Sequence, residues 1–203
     1  MSARTLRLTL VAFLLCACAC GAWKRFAYSG PGRDDWQQPA RVIQTLALEP
    51  GARVADLGAG GGYFTFRLAD AVGPSGVVYA VDVDPDMLDY LRGRAQDEQR
   101  ANVVVIEAAY DDPKLPEAGV DLVLVVNTYH HLEQRTAYFE RVKRGLRPGG
   151  RLALIELREG GFPAGHFTTP ETIRSELEAA GYVQSASYDF LEKQSFLIFT
   201  PSR

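Results

Sequence analysis

Two stretches of this chain carry residue types at spacings that suit chemistry. The first is Asp56-Leu57-Gly58-Ala59-Gly60-Gly61-Gly62. Glycine lets the backbone turn sharply and lets a ligand approach the main chain without a Cβ in the way. A helix starting just beyond adds outward N–H groups and positive potential. A dinucleotide-binding loop would read G-x-G-x-x-G, but Tyr63 stands where its last glycine should be. The chain offers G-x-G-x-G instead, with Asp56 two residues upstream. Further on, Tyr79-Ala80-Val81-Asp82 ends an apolar run in an acid. A carboxylate at such an edge can accept both hydroxyls of an adenosine ribose.

The second stretch is Asn127-Thr128-Tyr129-His130-His131, which comes after another apolar run. Imidazole titrates near neutral pH, so His131 or His130 can take a proton from a hydroxyl or amine nucleophile. The other reading is that one of them packs against the sheet edge and only shapes a pocket. No metal site is expected, since adjacent residues rarely point at one ion. Cys16, Cys18 and Cys20 are the only cysteines, so residues beyond 25 offer no thiolate ligand and no disulfide. His166 lies in the Gly- and Pro-rich stretch 158–169 and suits a substrate lid. That stretch is short, which favours a small or lipid-like substrate over a protein.

Positioning these residues at one edge requires strands and helices in alternation. Short runs rich in Val, Ile and Leu at 53–57, 77–82, 102–107, 121–127 and 151–157 are bounded by Gly, Pro or Asp. Such runs suit parallel strands covered on both faces. Helical patterns fall near 62–72, 85–98 and 133–147, after an earlier helix from Trp36 to the Pro50-Gly51 turn. This alternation predicts βαβ units and an α/β doubly wound sheet. A helix near 170–180 then precedes runs at 183–191 and 195–200, close enough to pair as an antiparallel hairpin.

Taken in order, these motifs resemble the class I S-adenosylmethionine-dependent methyltransferases over about residues 36–200. VADLGAGGGYF is similar to the first motif of that family and VYAVDVDPDML to the second. DLVLVVNTYHHL is similar to the fourth-strand region, and LRPGG at 146–150 to the turn before strand five. The resemblance implies a Rossmann-like, doubly wound, mostly parallel seven-stranded sheet with a terminal antiparallel strand pair. It implies S-adenosyl-L-methionine as cofactor, and the short stretch 158–169 points to a small-molecule or lipid-like methyl acceptor. Carried over by residue, Asp56 and the backbone of Gly58 and Gly60 hold the methionine end. Asp82 binds the ribose, while Val83 and Met87 flank the adenine. Many relatives place an Asp just beyond strand three to bind the adenine amino group. Here Ala109 occupies that position, and Asp111 or Asp112 would serve from a shifted loop, with Asp111 preferred. Asn127 joins the cofactor-binding set, and His131 and His130 are the catalytic candidates. Methyl transfer is an in-line displacement, so alignment is the main catalytic task. An NAD-dependent oxidoreductase shares the βαβ start and the ribose acid, but Tyr63 and the terminal strand pair speak against it. Composition does not separate an enzyme from a non-catalytic cofactor-binding protein.

The 203 residues suit one domain,. Arg4 and Arg7 precede the apolar run 8–23, in which Thr9 is the one conventionally polar residue. Residues 1–25 therefore read as a signal peptide or membrane anchor, 26–35 as a linker, and 36–203 as the methyltransferase domain. Lys24 and Arg25 balance Arg4 and Arg7 across the run, so the positive-inside rule sets no orientation. Leu15-Cys16-Ala17-Cys18 loosely resembles a lipoprotein cleavage site. The expected location is membrane-anchored or exported, on a side the sequence leaves open. Four of the 22 basic residues and none of the 25 acidic ones precede residue 26, leaving a formal charge of −7 beyond it. Without a basic patch, nucleic acid is excluded as a partner. No feature sets an oligomeric state.

Overall fold

A computed structural model describes residues 32–159 and 166–202. The N-terminal run expected as a signal or anchor lies outside them. Among the described residues, no helix is long and apolar enough to cross a membrane.

The chain opens with two short helices, α1 (Arg33–Gln37) and α2 (Pro39–Leu46), broken at Gln38, whose φ is 45°. Helix therefore begins at Arg33, inside the stretch expected as linker and ahead of Trp36. The reason is anchorage: Asp34 pairs with Arg67 at 3.1 Å and accepts the Tyr63 hydroxyl. Next come β1 (Arg53–Leu57), α3 (Thr65–Val72), β2 (Val77–Asp82), α4 (Pro85–Asp97) and β3 (Val103–Glu107). The second half holds β4 (Val120–Val126), a 3-10 turn (Tyr129–His131), α5 (Arg135–Gly145) and β5 (Leu146–Leu157). The chain closes with α6 (Pro170–Ala179), β6 (Tyr182–Tyr188) and β7 (Gln194–Pro201).

The strands form one seven-stranded sheet in the order β3-β2-β1-β4-β5-β7-β6. The first five are parallel, and β7 runs antiparallel to both β5 and β6. This is the doubly wound α/β sheet with a terminal antiparallel pair that the sequence predicts. Two strand boundaries differ by more than one residue. LRPGG belongs to β5 rather than to a turn before it, because Leu146 already pairs with Val120 across a register irregularity. The sixth strand ends at Tyr188, short of Leu191.

Successive side chains of a strand point to opposite faces of its sheet, and β4 buries both of its faces. Val123 and Val125 join a core with Phe139, Ile173 and Phe199 under α5 and α6. Leu122 and Leu124 join a second core with Val42, Leu46 and Leu68 under α2 and α3. Strands so covered must be apolar on both sides, which is why Leu122–Val126 and Leu152–Ile155 read as apolar runs. Strand order reverses at β1, which has β2 on one side and β4 on the other. Ligands bind such sheets at that reversal, beyond the carboxyl ends of the strands.

Candidate active site

The carboxyl ends of β1, β2 and β4 open into a cavity of about 1200 Å³. At one end its wall includes Asp56, Gly58, Asp82, Val83, Asp111 and Tyr110; at the other it includes Asn127, His130, His131 and His166. The cavity exceeds the roughly 300–1,000 Å³ usual for a single-ligand pocket, so there is room for a donor and an acceptor together.

The glycine loop leaves β1 and folds back over β2. Gly58 and Ala59 donate their N–H groups to the Val81 carbonyl at 2.8 and 3.1 Å. Gly58 has φ +77°, and a Cβ there would meet Thr128 Oγ1 at 2.2 Å. A side chain is thus excluded by both backbone and neighbour. Gly60 is not itself in the wall; its N–H donates to Asp82 Oδ2 at 2.7 Å. The other oxygen of Asp82 accepts Val83 N–H at 2.8 Å and Asp84 N–H at 3.0 Å. Loop and acid are therefore locked together, with one lone pair of Oδ2 remaining for a hydroxyl.

Asp56 is 3% exposed and accepts the Thr65 hydroxyl at 2.6 Å. Burial pushes its carboxyl up to about 6; Thr65 opposes that shift, and Asp82 adds to it. Arg33 brings the facing cation from α1, and burial lowers its pKa. Its guanidinium stacks on the Tyr63 ring at 3.8 Å. Tyr63, the residue that breaks the dinucleotide pattern, thus ties α1 to the loop.

Not every expected contact falls in the wall. Met87, on α4, is 1% exposed and is not part of the cavity wall. Asp111 is at the rim with a side chain 78% exposed. Tyr110, which sequence reasoning passed over, stands beside it at 83% exposure. Asp112 is drawn aside by a bridge to Ala109.

At the other end Asn127 takes a left-handed backbone, φ 51°. Its Oδ1 accepts Gln194 Nε2 at 2.7 Å, and Gln194 Oε1 in turn accepts Gln37 Nε2 at 3.3 Å. Gln37 also holds Arg33 Nε. A buried amide relay therefore joins α1 to the exit of β4. Neither glutamine carried a spacing signal in the sequence.

The 3-10 turn sets His130 and His131 side by side, ring centroids 4.0 Å apart, and His166 lies 5.2 and 5.4 Å from them. The expectation that adjacent histidines diverge is not met, because the tight turn and the return of His166 confine all three. Glu156, at the end of β5, is wholly buried and 2.8 Å from His130 Nδ1. It too was missed; an acid ending an apolar strand has no signature until its partner is in place. His131 is held below the usual imidazole range, first by partial burial and then by His130 and His166.

The glycine cradle, the ribose-edge acid and the opposite charges of Arg33 and Asp56 in one wall fit a nucleoside carrying an amino-acid tail. Residues 54–150 match the family model of a methyltransferase domain. The chain is 33% identical over 208 residues to an uncharacterized methyltransferase of Mycobacterium bovis, covering 91% of this chain and 78% of that one. It is 30% identical to a ubiquinone/menaquinone biosynthesis C-methyltransferase of Ectopseudomonas mendocina, over 70% of this chain. The chain spans half the length of that relative. A SAM dependent methyltransferase from Aquifex aeolicus superposes with a TM-score of 0.81 at 26% identity, covering 87% of this chain and 96% of that one.

Proposed function

Because this chain belongs to the class I S-adenosylmethionine-dependent methyltransferases, we propose that it methylates a small, partly apolar acceptor bound beside its histidines. One observation carries this: a single cavity holds the glycine loop and Asp82 at one end and the histidines at the other. An NAD-dependent oxidoreductase is not favoured, since the relatives from Mycobacterium, Ectopseudomonas and Aquifex are methyltransferases.

S-adenosyl-L-methionine supplies a methyl group on a positively charged sulfur. Asp56 and Arg33 suit the amino and carboxylate groups of its methionine end, and the Gly58 turn admits that end close to the main chain. Asp82 suits the ribose hydroxyls, with Gly60 N–H steadying the carboxylate. Val83 suits the adenine, and Asp111 its amino group from the rim. Asn127, at the histidine end, is fixed by Gln194. His131 and His130 are the groups positioned to act on the acceptor, and His130 Nε2 has no hydrogen-bond partner among the described residues. Val126, Leu132 and Leu157 in the same wall favour an acceptor with an apolar body, including lipid-like phenols.

The apolar run at 8–23 supports attachment to a membrane or export, and protease accessibility on intact cells reads the side. For the cofactor, calorimetry on the full-length chain in mild detergent is the direct test. Binding of S-adenosylmethionine and S-adenosylhomocysteine without binding of NAD is expected. Asp82→Ala removes a charge-assisted hydrogen bond of roughly 1.5–3 kcal/mol, so affinity should fall about tenfold or more. NAD binding with no sulfonium ligand bound would sink the reading, and unchanged affinity in Asp82→Ala would move the ribose elsewhere.

A further inference from the structure

The chain has three histidines, and all three converge on one patch of the cavity wall. His130, His131 and His166 each offer a ring nitrogen, and these nitrogens all lie within 4.8 Å of one another. Two come from the turn after β4, the third from beyond β5.

A second observation is independent of that clustering. The His130 side chain is 6% exposed, and its Nε2 is buried with no hydrogen-bond partner among the described residues. A buried polar atom left unpaired costs about 1–3 kcal/mol, so such an atom calls for an explanation. Its other nitrogen is spoken for. Nδ1 lies 2.8 Å from Glu156 Oε1. That carboxylate also accepts the main-chain N–H of Leu157 at 2.9 Å and of His130 at 3.2 Å. With Glu156 acting as acceptor throughout, the ring proton sits on Nδ1, and the Nε2 lone pair is left for a ligand. Metal-binding histidines almost always donate their second ring N–H to a carboxylate or carbonyl in this way, which fixes the tautomer and strengthens the donor.

We propose that His130, His131 and His166 hold a divalent ion of the zinc class, with Glu156 bracing His130 and a fourth position open to the acceptor end of the cavity. Imidazole nitrogen suits zinc and its neighbours in the first transition row. Three protein ligands with an open position mark a reactive site rather than a structural one, which would be closed by four. Tetrahedral Zn–N bonds of about 2.0–2.1 Å place nitrogens roughly 3.3 Å apart. The exposed rings of His131 and His166 therefore close by at most about 1.5 Å, within reach of side-chain rotation, while His130 stays braced.

The consequence for chemistry rests on the methyltransferase reading; the site itself does not. An ion there would take the oxygen or sulfur of a hydroxyl or thiol acceptor and ease its proton away to solvent. A lone pair of that heteroatom forms the bond to the methyl carbon. The methyl–sulfur bond breaks, and its electron pair returns to the donor's sulfur. The acceptor class is then a phenol, alcohol or thiol.

The test uses full-length protein without a polyhistidine tag, stripped with a chelator and dialysed. Calorimetric titration with zinc should show one ion per chain, and cobalt(II) should give the intense visible absorption of a tetrahedral nitrogen site. His166→Ala, which removes an exposed side chain, should weaken zinc binding at least 100-fold. Glu156→Gln should weaken it about 10–100-fold. Absence of saturable zinc binding overturns the proposal, as does binding whose affinity is unchanged in His166→Ala and His130→Ala. S-adenosylhomocysteine is titrated into the same sample. Its binding without zinc binding removes the ion and leaves the methyltransferase reading standing. Zinc binding without it does the reverse.

Discussion

At Asp56 a carboxylate is kept almost wholly buried at the cavity wall. Burial raises its pKa from the usual 3.8 to about 6, so the folded chain holds this proton more tightly than the unfolded chain does. Below about pH 4 the group is protonated in both states and contributes nothing. Between about 4 and 6 the unfolded chain ionises first, and stability falls as pH rises. Above 6 the loss is complete, of order 3 kcal/mol for a shift of about two units. Asp56→Asn keeps an acceptor for Thr65 and removes the charge. Its denaturant-unfolding free energy should therefore vary less than wild type between pH 4 and 7, by about that amount. Equal pH slopes in the two proteins would mean that Asp56 carries no such penalty. A destabilised carboxylate beside a ligand cavity is what a cationic ligand would relieve, which favours Asp56 at the methionine end. Asp56 and Asp82 were legible in the sequence because each is tied to a glycine motif or a strand end by short spacing. Glu156, Gln37 and Gln194 were not, because their partners lie far along the chain and only folding introduces them.

Among the elements, α6 shows how a surface helix supports the histidine turn. Thr169 caps it by accepting Thr172 N–H at 3.2 Å, with Pro170 in its first turn. Glu176 on this helix then takes Arg135 in a two-pronged pair at 2.7 and 2.9 Å and accepts the Tyr129 hydroxyl at 2.7 Å. Tyr129 opens the turn that carries His130 and His131. Removing a threonine cap costs about 1 kcal/mol, so Thr169→Ala should lower the Tm by roughly 2–4 °C for a chain of this size. A calorimetric scan showing no shift would mean water replaces the cap at no loss. Strands and main helices were readable from apolar runs and periodicity. The start at Arg33 was not, since Arg33-Asp34-Asp35 looks like solvated linker until Tyr63 and Arg67 are placed against it.

For the molecule as a whole, the reversal of strand order at β1 does most to decide where function lies. It opens one crevice at the carboxyl edge, which gathers Asp56, Gly58, Asp82, Asn127 and the histidines and leaves out Gly60 and Met87. Topology was legible because βαβ alternation and right-handed crossovers leave few arrangements. Convergence of the histidines was not, because His166 comes after a stretch with no periodic pattern to fix its return path. The formal charge of −7 beyond residue 25 sits well with a positively charged donor and poorly with polyanionic partners.

Trp36 forms part of the cavity wall and has the Lys193 ammonium 5.6 Å from its ring. The chain's other tryptophan, Trp23, lies outside the described residues. Indole fluorescence responds to nearby charge and to stacked or packed aromatic groups, so this protein carries an optical reporter of its own occupancy. Adding S-adenosylhomocysteine should change the emission in a saturable way, with the same midpoint as calorimetry, and Trp36→Phe should abolish the change. A signal that persists in Trp36→Phe would trace it to Trp23. If the signal resides in Trp36, acceptor candidates can be screened by light alone, before any product is known.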